Sequence, residues 1–470
     1  MIPAGGLSVA RRLARFVCGL RLPAIPAAVT DRAALLALDT LGSVLASSTM
    51  DFGRSVLATA VRLGGPPEST LVGTDGKVGE ASAVLAGGTL AHGLDFDDTR
   101  EDAIVHTGSV TVPTALAAGE AVGADGRAVV EALVAGVEVM CRVGLAVPGR
   151  FHARHYHPTS VTGTFGAAAV AGKLHGLSES QLVHAFGICG SQSAGIIEYL
   201  ADGSWTKRLH PGWAAHAGVV ATMLAQADFT GPETVFEGEH GFFAAFGGGH
   251  DRARLEALLA TLGSTWELQA LTFKPYPCGS IAHPYMDCAL RLREEHRLTA
   301  GAIAEVRCRT ASGPVPRLWE PLAAKHRPPN GYAAKFSLPY LLAVILVKGR
   351  AGLAEFSDEA VRDPAVLDVA GRVRYDLDAT IDYPRQFVGD VTVRLTDGSV
   401  LHAHQDHPRG GADSPLTADE MEAKFRGNAR LALPEASIDP LIEAVRQLAK
   451  APGLGAVVQG LRRAAKGDTP

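Results

Sequence analysis

The sequence has little of what marks a nucleic-acid binder, a disulfide scaffold or a membrane protein. Its 44 Lys and Arg against 49 Asp and Glu give a net charge of −5, and neither sign gathers into runs that would track a phosphate backbone. No nucleic acid is expected as a partner. The six cysteines (Cys18, Cys141, Cys189, Cys278, Cys288 and Cys308) are scattered without a C-x-x-C pair. That pattern argues for reduced, buried thiols rather than a disulfide framework or a zinc site, and with them for a cytoplasmic location. The best hydrophobic run, Val129 to Val147, is broken by Glu131, Glu138 and Arg142 and falls short of the roughly 18 apolar residues that a span needs. A soluble protein with no membrane partner is expected. No GxGxxG or Walker loop stands between a strand and a helix, and no internal repeat or low-complexity tract is found.

Glycine is abundant, 53 of 470 residues, and much of it sits in Ala-rich helical patterns such as Gly163 to Gly172. Small residues there let helix backbones approach closely. At roughly three domain-equivalents of about 150 residues each, the chain can bury large cores. From Thr30 to about Ala260 apolar residues recur at helical spacing, as in Ala33, Leu36, Leu41 and Leu45. The N-terminal stretch with Arg11, Arg12 and Arg15 reads as a first amphipathic helix rather than a cleaved leader. Near Leu271 the texture changes: Pro and Gly cluster, and short β-branched runs such as Ile303 to Thr310 follow. Asp390 to Leu395 and Ser399 to Ala403 flank Thr-Asp-Gly at 396–398, a hairpin whose Asp-Gly supplies the positive-φ turn. Helical periodicity returns at Thr417, an N-cap with Glu420 three residues on. The expected fold is mainly α with a smaller α+β domain.

Four polar clusters could carry chemistry. The densest is His92-Gly-Leu-Asp-Phe-Asp-Asp-Thr99, followed by His106. Read as a helix, it puts Asp95, Asp98 and Thr99 on one face, with His92 three residues before Asp95. Such a run is either a solvated turn or a buried polar site. The second, His152, His155 and His157, lacks the helical H-x-x-x-H pair with a nearby acid that would favour a metal. The third is Thr206-Lys207-Arg208-Leu-His210, before a helix expected to open at Pro211, and the fourth is a Pro-stiffened loop from Lys274 to His283. His106 precedes a helix expected to be capped at Thr111, His157 precedes the Gly163 helix, and Lys207 precedes the Pro211 helix. Helix N-termini offer free N–H groups and partial positive charge, so three converging would bind a multiply charged carboxylate. Phe242 and Phe243 read as packing residues, and His402, His404 and His407 as surface residues of the hairpin.

The runs Ala91 to Thr99, Ile104-Val-His106 and Pro113 to Glu120 together resemble the MmgE/PrpD family, which includes 2-methylcitrate dehydratase, cis-aconitate decarboxylase and iminodisuccinate epimerase. The likeness continues in His157-Pro-Thr, Gly163-Thr-Phe-Gly166, Thr206-Lys207, Lys274-Pro-Tyr-Pro277, Ala334 to Tyr340 and Lys424-Phe-Arg426, and so spans nearly the whole chain. This resemblance implies a homodimer with no metal and no organic cofactor. Each subunit would have an all-helical domain (1–268 with 406–470) and an inserted α+β lid domain (269–405). The implied site comprises Asp95, Thr99, His106, His157, Lys207 and His283, in a cleft between the domains, with Arg208 and Lys274 as further substrate ligands. Two departures stand out. Thr107-Gly108 follows His106 where Pro-Gly or Pro-Ser is usual, and Glu101 and Asp102 would repel a carboxylate unless turned outward.

The chemistry common to such enzymes is making or quenching a carbanion beside a carboxylate. His106, His157 and His283 suit proton transfer near neutrality, and Lys207 suits charge stabilisation. Asp95 would orient a histidine and Thr99 would hydrogen-bond a substrate carboxylate. The resulting expectation is a cofactor-independent lyase, a decarboxylase or dehydratase, acting on a small di- or tricarboxylate. The alternatives are an epimerase of a dicarboxylate such as iminodisuccinate, a non-catalytic carboxylate-binding paralogue, and a metal-dependent hydrolase using Asp95, Asp98, His106 and His157.

Overall fold

Small side chains decide how the helices of the N-terminal half meet. Glu80–His92 crosses Thr206–Gln226 where Gly88 faces Gly212, so closely that a Cβ on Gly88 would lie 2.7 Å from the Gly212 Cα. A methyl group at either position would force the two backbones apart. Around this crossing lie Ala27–Ser48, Gly108–Ala121, Gly126–Leu145 and Pro158–Leu174, the last buried from Pro158 through Gly172. A helix apolar on every side has to be interior. Val9–Gly19 is the amphipathic first helix; Ser8 caps it by accepting from the Arg11 N–H, and Leu13, Ala14 and Val17 face inward.

The computed structural model describes residues 6–383 and 386–462. It divides into two compact units, one from the residues up to 271 and those from 417 on, the other from residues 272–416. In the first unit Ala418–Ala429 packs on Ala27–Ser48, with the reciprocal Thr417–Glu420 capping box at its start. Beyond it the periodic stretch breaks into the shorter helices Ile438–Arg446 and Gly455–Gly460. Phe242 and Phe243 join Phe165 and Phe236 in a buried aromatic cluster, so they are packing residues.

The second unit is built on a four-stranded mixed sheet in the order Val373–Leu377, Ile303–Thr310, Gly389–Leu395, Val400–Gln405. The first pair is parallel and the others antiparallel. The hairpin turns at Gly398, whose φ of 90° only glycine adopts without strain. Val306, Cys308, Val391 and Val393 pack with Met286 of His283–His296 and Tyr340 of Leu338–Lys348 into one core. Among the described residues the fold is therefore mostly helical, with one small mixed sheet and a short antiparallel pair, Ser69–Thr70 with Lys77–Val78. All six cysteines are free thiols and five are buried. Among the described residues no single helix is long and apolar enough to cross a membrane.

Two helices begin earlier than the sequence suggests. One starts at Gly108 rather than after Thr111, and the other at Thr206 rather than Pro211, leaving Pro113 and Pro211 inside them. Proline signals a first helical turn because it lacks an N–H. Here a Cβ on Gly87 would lie 2.9 Å from the Pro113 Cβ, and one on Gly88 3.0 Å from the Pro211 carbonyl carbon. That close packing holds both prolines in place and outweighs local preference.

Candidate functional site

The His92–Thr99 run is not helical. Glu80–His92 ends at His92, and Asp95 has φ 57°, so its carboxylate leaves the helix direction. Two side chains from distant parts of the chain hold this turn. The Arg208 Nε donates to the Gly93 carbonyl at 3.0 Å, while its guanidinium lies 4.4 Å from the centre of the Phe52 ring. The Lys424 Nζ donates to the Phe96 carbonyl at 2.7 Å, sits over the Phe96 ring, and pairs with the buried Asp39 at 2.5 Å. Arg208 is thus placed as a strut of the turn.

The turn delivers four polar side chains with different tasks. The Asp95 Oδ1 meets the Lys207 Nζ at 3.0 Å, and both side chains are largely buried. The Asp97 Oδ2 lies 2.7 Å from the His92 Nδ1, with neither side chain exposed at all. Asp98 accepts from Thr107 N–H, Thr107 O–H and Gly108 N–H at 2.8–3.0 Å. Burial, then the charge of Asp97, pushes its carboxyl up to about 7 against those hydrogen bonds. One of the three helix N-termini expected to receive a substrate carboxylate is therefore filled by Asp98. Thr99 Oγ1 lies 3.2 Å from the His106 Nδ1.

His106 is held in one tautomer. Its Nδ1 lies 2.7 Å from the Asp98 carbonyl, which can only accept, so Nδ1 carries the proton and Nε2 is the reactive nitrogen. Its backbone N–H donates to Thr159 Oγ1, tying it to Pro158–Leu174. His157 is the N-cap residue of that helix, and its ring centre lies 6.2 Å from that of His106. Burial first, and then the neighbouring His92, His210, Lys207 and His106, drive the His157 pKa well below its ordinary value. It is a neutral imidazole at physiological pH. Because its helix begins at Thr206, His210 is also on it, with Nδ1 3.1 Å from the His157 Nδ1 and a pKa lowered to about 4, again chiefly by burial.

Asp95, Thr99, His106, His157 and Lys207 are thus brought together in the first unit. Glu101 and Asp102 lie just beyond, and the Asp102 carboxylate is 66% exposed and paired with Arg100, so its charge points away. Lys274 and His283 fall in the second unit. Both are buried there, with the His283 Nε2 3.3 Å from the Cys278 carbonyl and the ring edge-on to Tyr276. His155 is exposed, with its backbone in the left-handed region, while His92, Asp97 and His210 enter the cluster without having been singled out individually. The available signal for His92 and Asp97 was three acids in four residues beside a histidine. His210 was hidden by the misplaced helix start.

One nitrogen from each of His92, His106 and His157 lies within 4.8 Å of the others, which is close enough to hold a metal ion. The same convergence of buried imidazoles beside a Lys–Asp pair suits proton transfer next to a bound anion.

Comparison with known proteins identifies the family. The MmgE/PrpD N-terminal domain matches residues 11–255 and the MmgE/PrpD C-terminal domain matches residues 276–450. A cis-aconitate decarboxylase of Aspergillus terreus is 25% identical over 94% of this chain and 93% of its own length. That of Homo sapiens is 26% identical over 94% and 92%, and that of Mus musculus 27% over 94% and 91%. With both domain models matched along most of its length, the chain belongs to the MmgE/PrpD family.

Proposed function

We propose that the protein is a lyase acting on a small di- or tricarboxylate, with decarboxylation of cis-aconitate as the leading candidate reaction. The observation that carries the reading is the buried convergence of His106 and His157 beside the Asp95–Lys207 pair. Full-length relatives named as cis-aconitate decarboxylases support the choice of acid.

Loss of CO2 breaks a C–C bond and leaves its electron pair on carbon beside a remaining carboxylate. A cation lowers the cost of that charge in a buried site, and Lys207 is the cation at hand. The carbanion is then quenched by a second proton carried on the His106 Nε2 while Nδ1 keeps its own, the ring being oriented through Nδ1 by the Asp98 carbonyl and Thr99. Neutral His157 is available to accept a proton or hydrogen-bond a carboxylic acid. Dehydration would use the same groups, with one imidazole protonating the leaving hydroxyl.

The test is a proton NMR time course of the purified protein in D2O with cis-aconitate, trans-aconitate, citrate, methylcitrate and iminodisuccinate. Release of CO2 with one deuteron on the new C–H bond is the expected result. Loss of water instead would identify a dehydratase, and deuterium exchange without net change an epimerase. No reaction on any acid contradicts the proposal, and a thermal shift with one of them would then favour a binding protein.

A further inference from the structure

The acid–base reading uses His106 and His157, yet four imidazoles cluster there, three of them in a triangle and His210 against His157. Ring centres step 4.7 Å from His106 to His92, 5.4 Å from His92 to His157 and 5.2 Å from His157 to His210. The direct distance from His106 to His157 is 6.2 Å, so His92 is the nearer neighbour of each.

Hydrogen bonding fixes what each ring offers. Asp97 takes the His92 Nδ1 and also lies 3.7 Å from the His106 Nδ1, so one carboxylate faces two rings. The His92 Nε2 is buried and makes no hydrogen bond. The nitrogens of His92, His106 and His157 lie within 4.8 Å of one another, a gap that one water molecule or a carboxylate oxygen can bridge. His157 and His210 touch directly through their Nδ1 atoms. His210 is the least buried of the four, 8% exposed against 1% for His92, and packs beside Gly195, next to the exposed Ile196. Asp95, Asp98 and Lys207 are the other charged groups at the cluster, and Tyr199 flanks His157 and His210 edge-on.

We propose that His92, held by Asp97, and His210 complete a four-imidazole relay with His106 and His157 that returns a proton to the buried centre after each turnover. The proposal rests on the acid–base lyase reading. When the substrate C–CO2 bond breaks and its electron pair stays on carbon, the His106 Nε2 gives that carbon a proton. His92 passes a proton from Nε2 to His106, and Asp97 balances the positive charge on His92 while it carries two protons. His157 resupplies His92, His210 resupplies His157 across the Nδ1 contact, and solvent resupplies His210. After one passage His157 and His210 hold their remaining proton on the opposite nitrogen, and rotation of each ring resets the relay; one proton is consumed per molecule of CO2 released. His92, Asp97 and His210 act through His106 and are positioning and relay residues.

The test compares wild type with His92→Gln, Asp97→Asn and His210→Gln, each first checked by circular dichroism and melting. On the acid that the wild type turns over, kcat should fall at least tenfold with KM within threefold, and the solvent isotope effect on kcat should rise. Imidazole in the buffer should restore part of the activity of His210→Ala. A kcat within twofold of wild type in both His92→Gln and His210→Gln overturns the relay. If His92→Gln does not fold, Asp97→Asn and His210→Gln decide. A second readout needs no substrate: side-chain 15N spectra of [15N]histidine protein should show His106 or His157 changing tautomer or protonation in His92→Gln. If all acids are left untouched by the wild type, the lyase reading fails and these spectra alone judge the relay, unchanged states overturning it. A stoichiometric metal ion that survives chelator would also overturn it, because the three nitrogens would then be ligands.

Discussion

Two regions of this chain set histidines against aspartates, and one histidine in each is shifted, His404 upward and His157 downward. On the hairpin, His402 and His404 share Asp390 at 3.3 and 3.2 Å, with side chains 54% and 44% exposed. In the helical unit, His92 meets Asp97 at 2.7 Å with no exposure, among three further imidazoles. Partial burial would lower the His404 pKa, but its hydrogen bonds to Asp406 and Asp390 outweigh that and raise it. Burial of His157 is nearly complete and its neighbours include a lysine and three histidines, so its pKa drops well below normal. Water screens the hairpin cluster, so its charges do little beyond pairing. The buried cluster has no such screen, so each added charge changes what its neighbours can hold. A His–Asp pair becomes a chemical centre through its surroundings.

The sharpest way to break this contrast is to loosen what keeps the buried cluster in place. Lys424→Met removes one side of the buried Lys424–Asp39 ion pair and frees the Phe96 carbonyl. It should cost about 3–5 kcal/mol of stability in denaturant titrations, as removal of one partner of a buried ion pair does. A loss below about 1 kcal/mol would show that the turn does not depend on this strut.

The next effect depends on pH. His210 is lowered to about 4 in the fold from an ordinary value near 6.5. At pH values between these the unfolded chain binds the extra proton, so this contribution is complete above about 6.5 and is lost as pH falls toward 4. The stability of wild type relative to His210→Gln should therefore fall over that window, by at most about 3 kcal/mol. A difference independent of pH contradicts the burial of a neutral His210.

Lys207→Met should act on substrate binding. Loss of its charge should raise KM or lower kcat/KM by roughly ten- to a hundredfold, about 1.4–2.7 kcal/mol, in steady-state assays on the active acid. Unchanged kinetics would remove Lys207 from the site. The smallest effect belongs to the hairpin: His404→Gln should change stability by less than about 0.5 kcal/mol at pH 7 and leave activity within twofold. Any pairing stability there is present below pH 6.5 and fades as pH rises through the raised value.

Elements specified by short-range chemistry were legible in the sequence. The Asp397-Gly398 turn needs a positive φ, and Thr417 with Glu420 closes a capping box over four residues. The histidine cluster was not, because its geometry is set by contacts remote along the chain. Lys424 reaches the Phe96 carbonyl across 328 positions, and Arg208 reaches Gly93 across 115. Those contacts stop the helix at His92 and turn Asp95 away, which a periodicity argument reads as one continuous helical face. Likewise Pro211 marks a helix start on local grounds, while the packing of Gly88 on Gly212 keeps it inside a helix that already carries Lys207 and His210. Asp95, Thr99, His106, His157 and Lys207 came from the motifs themselves, with their pairing left to the fold.

Under the proposed function the buried histidines, and not the exposed ones, handle the reaction's proton. The most direct test is a side-by-side assay of His157→Gln and the His402→Gln/His404→Gln double variant on the acid that the wild type consumes. The expected result is a loss in kcat/KM of at least about a hundredfold, roughly 2.7 kcal/mol, for the first and a rate within twofold of wild type for the second. Equal losses in both, or a His157→Gln enzyme within a few-fold of wild type, would contradict it.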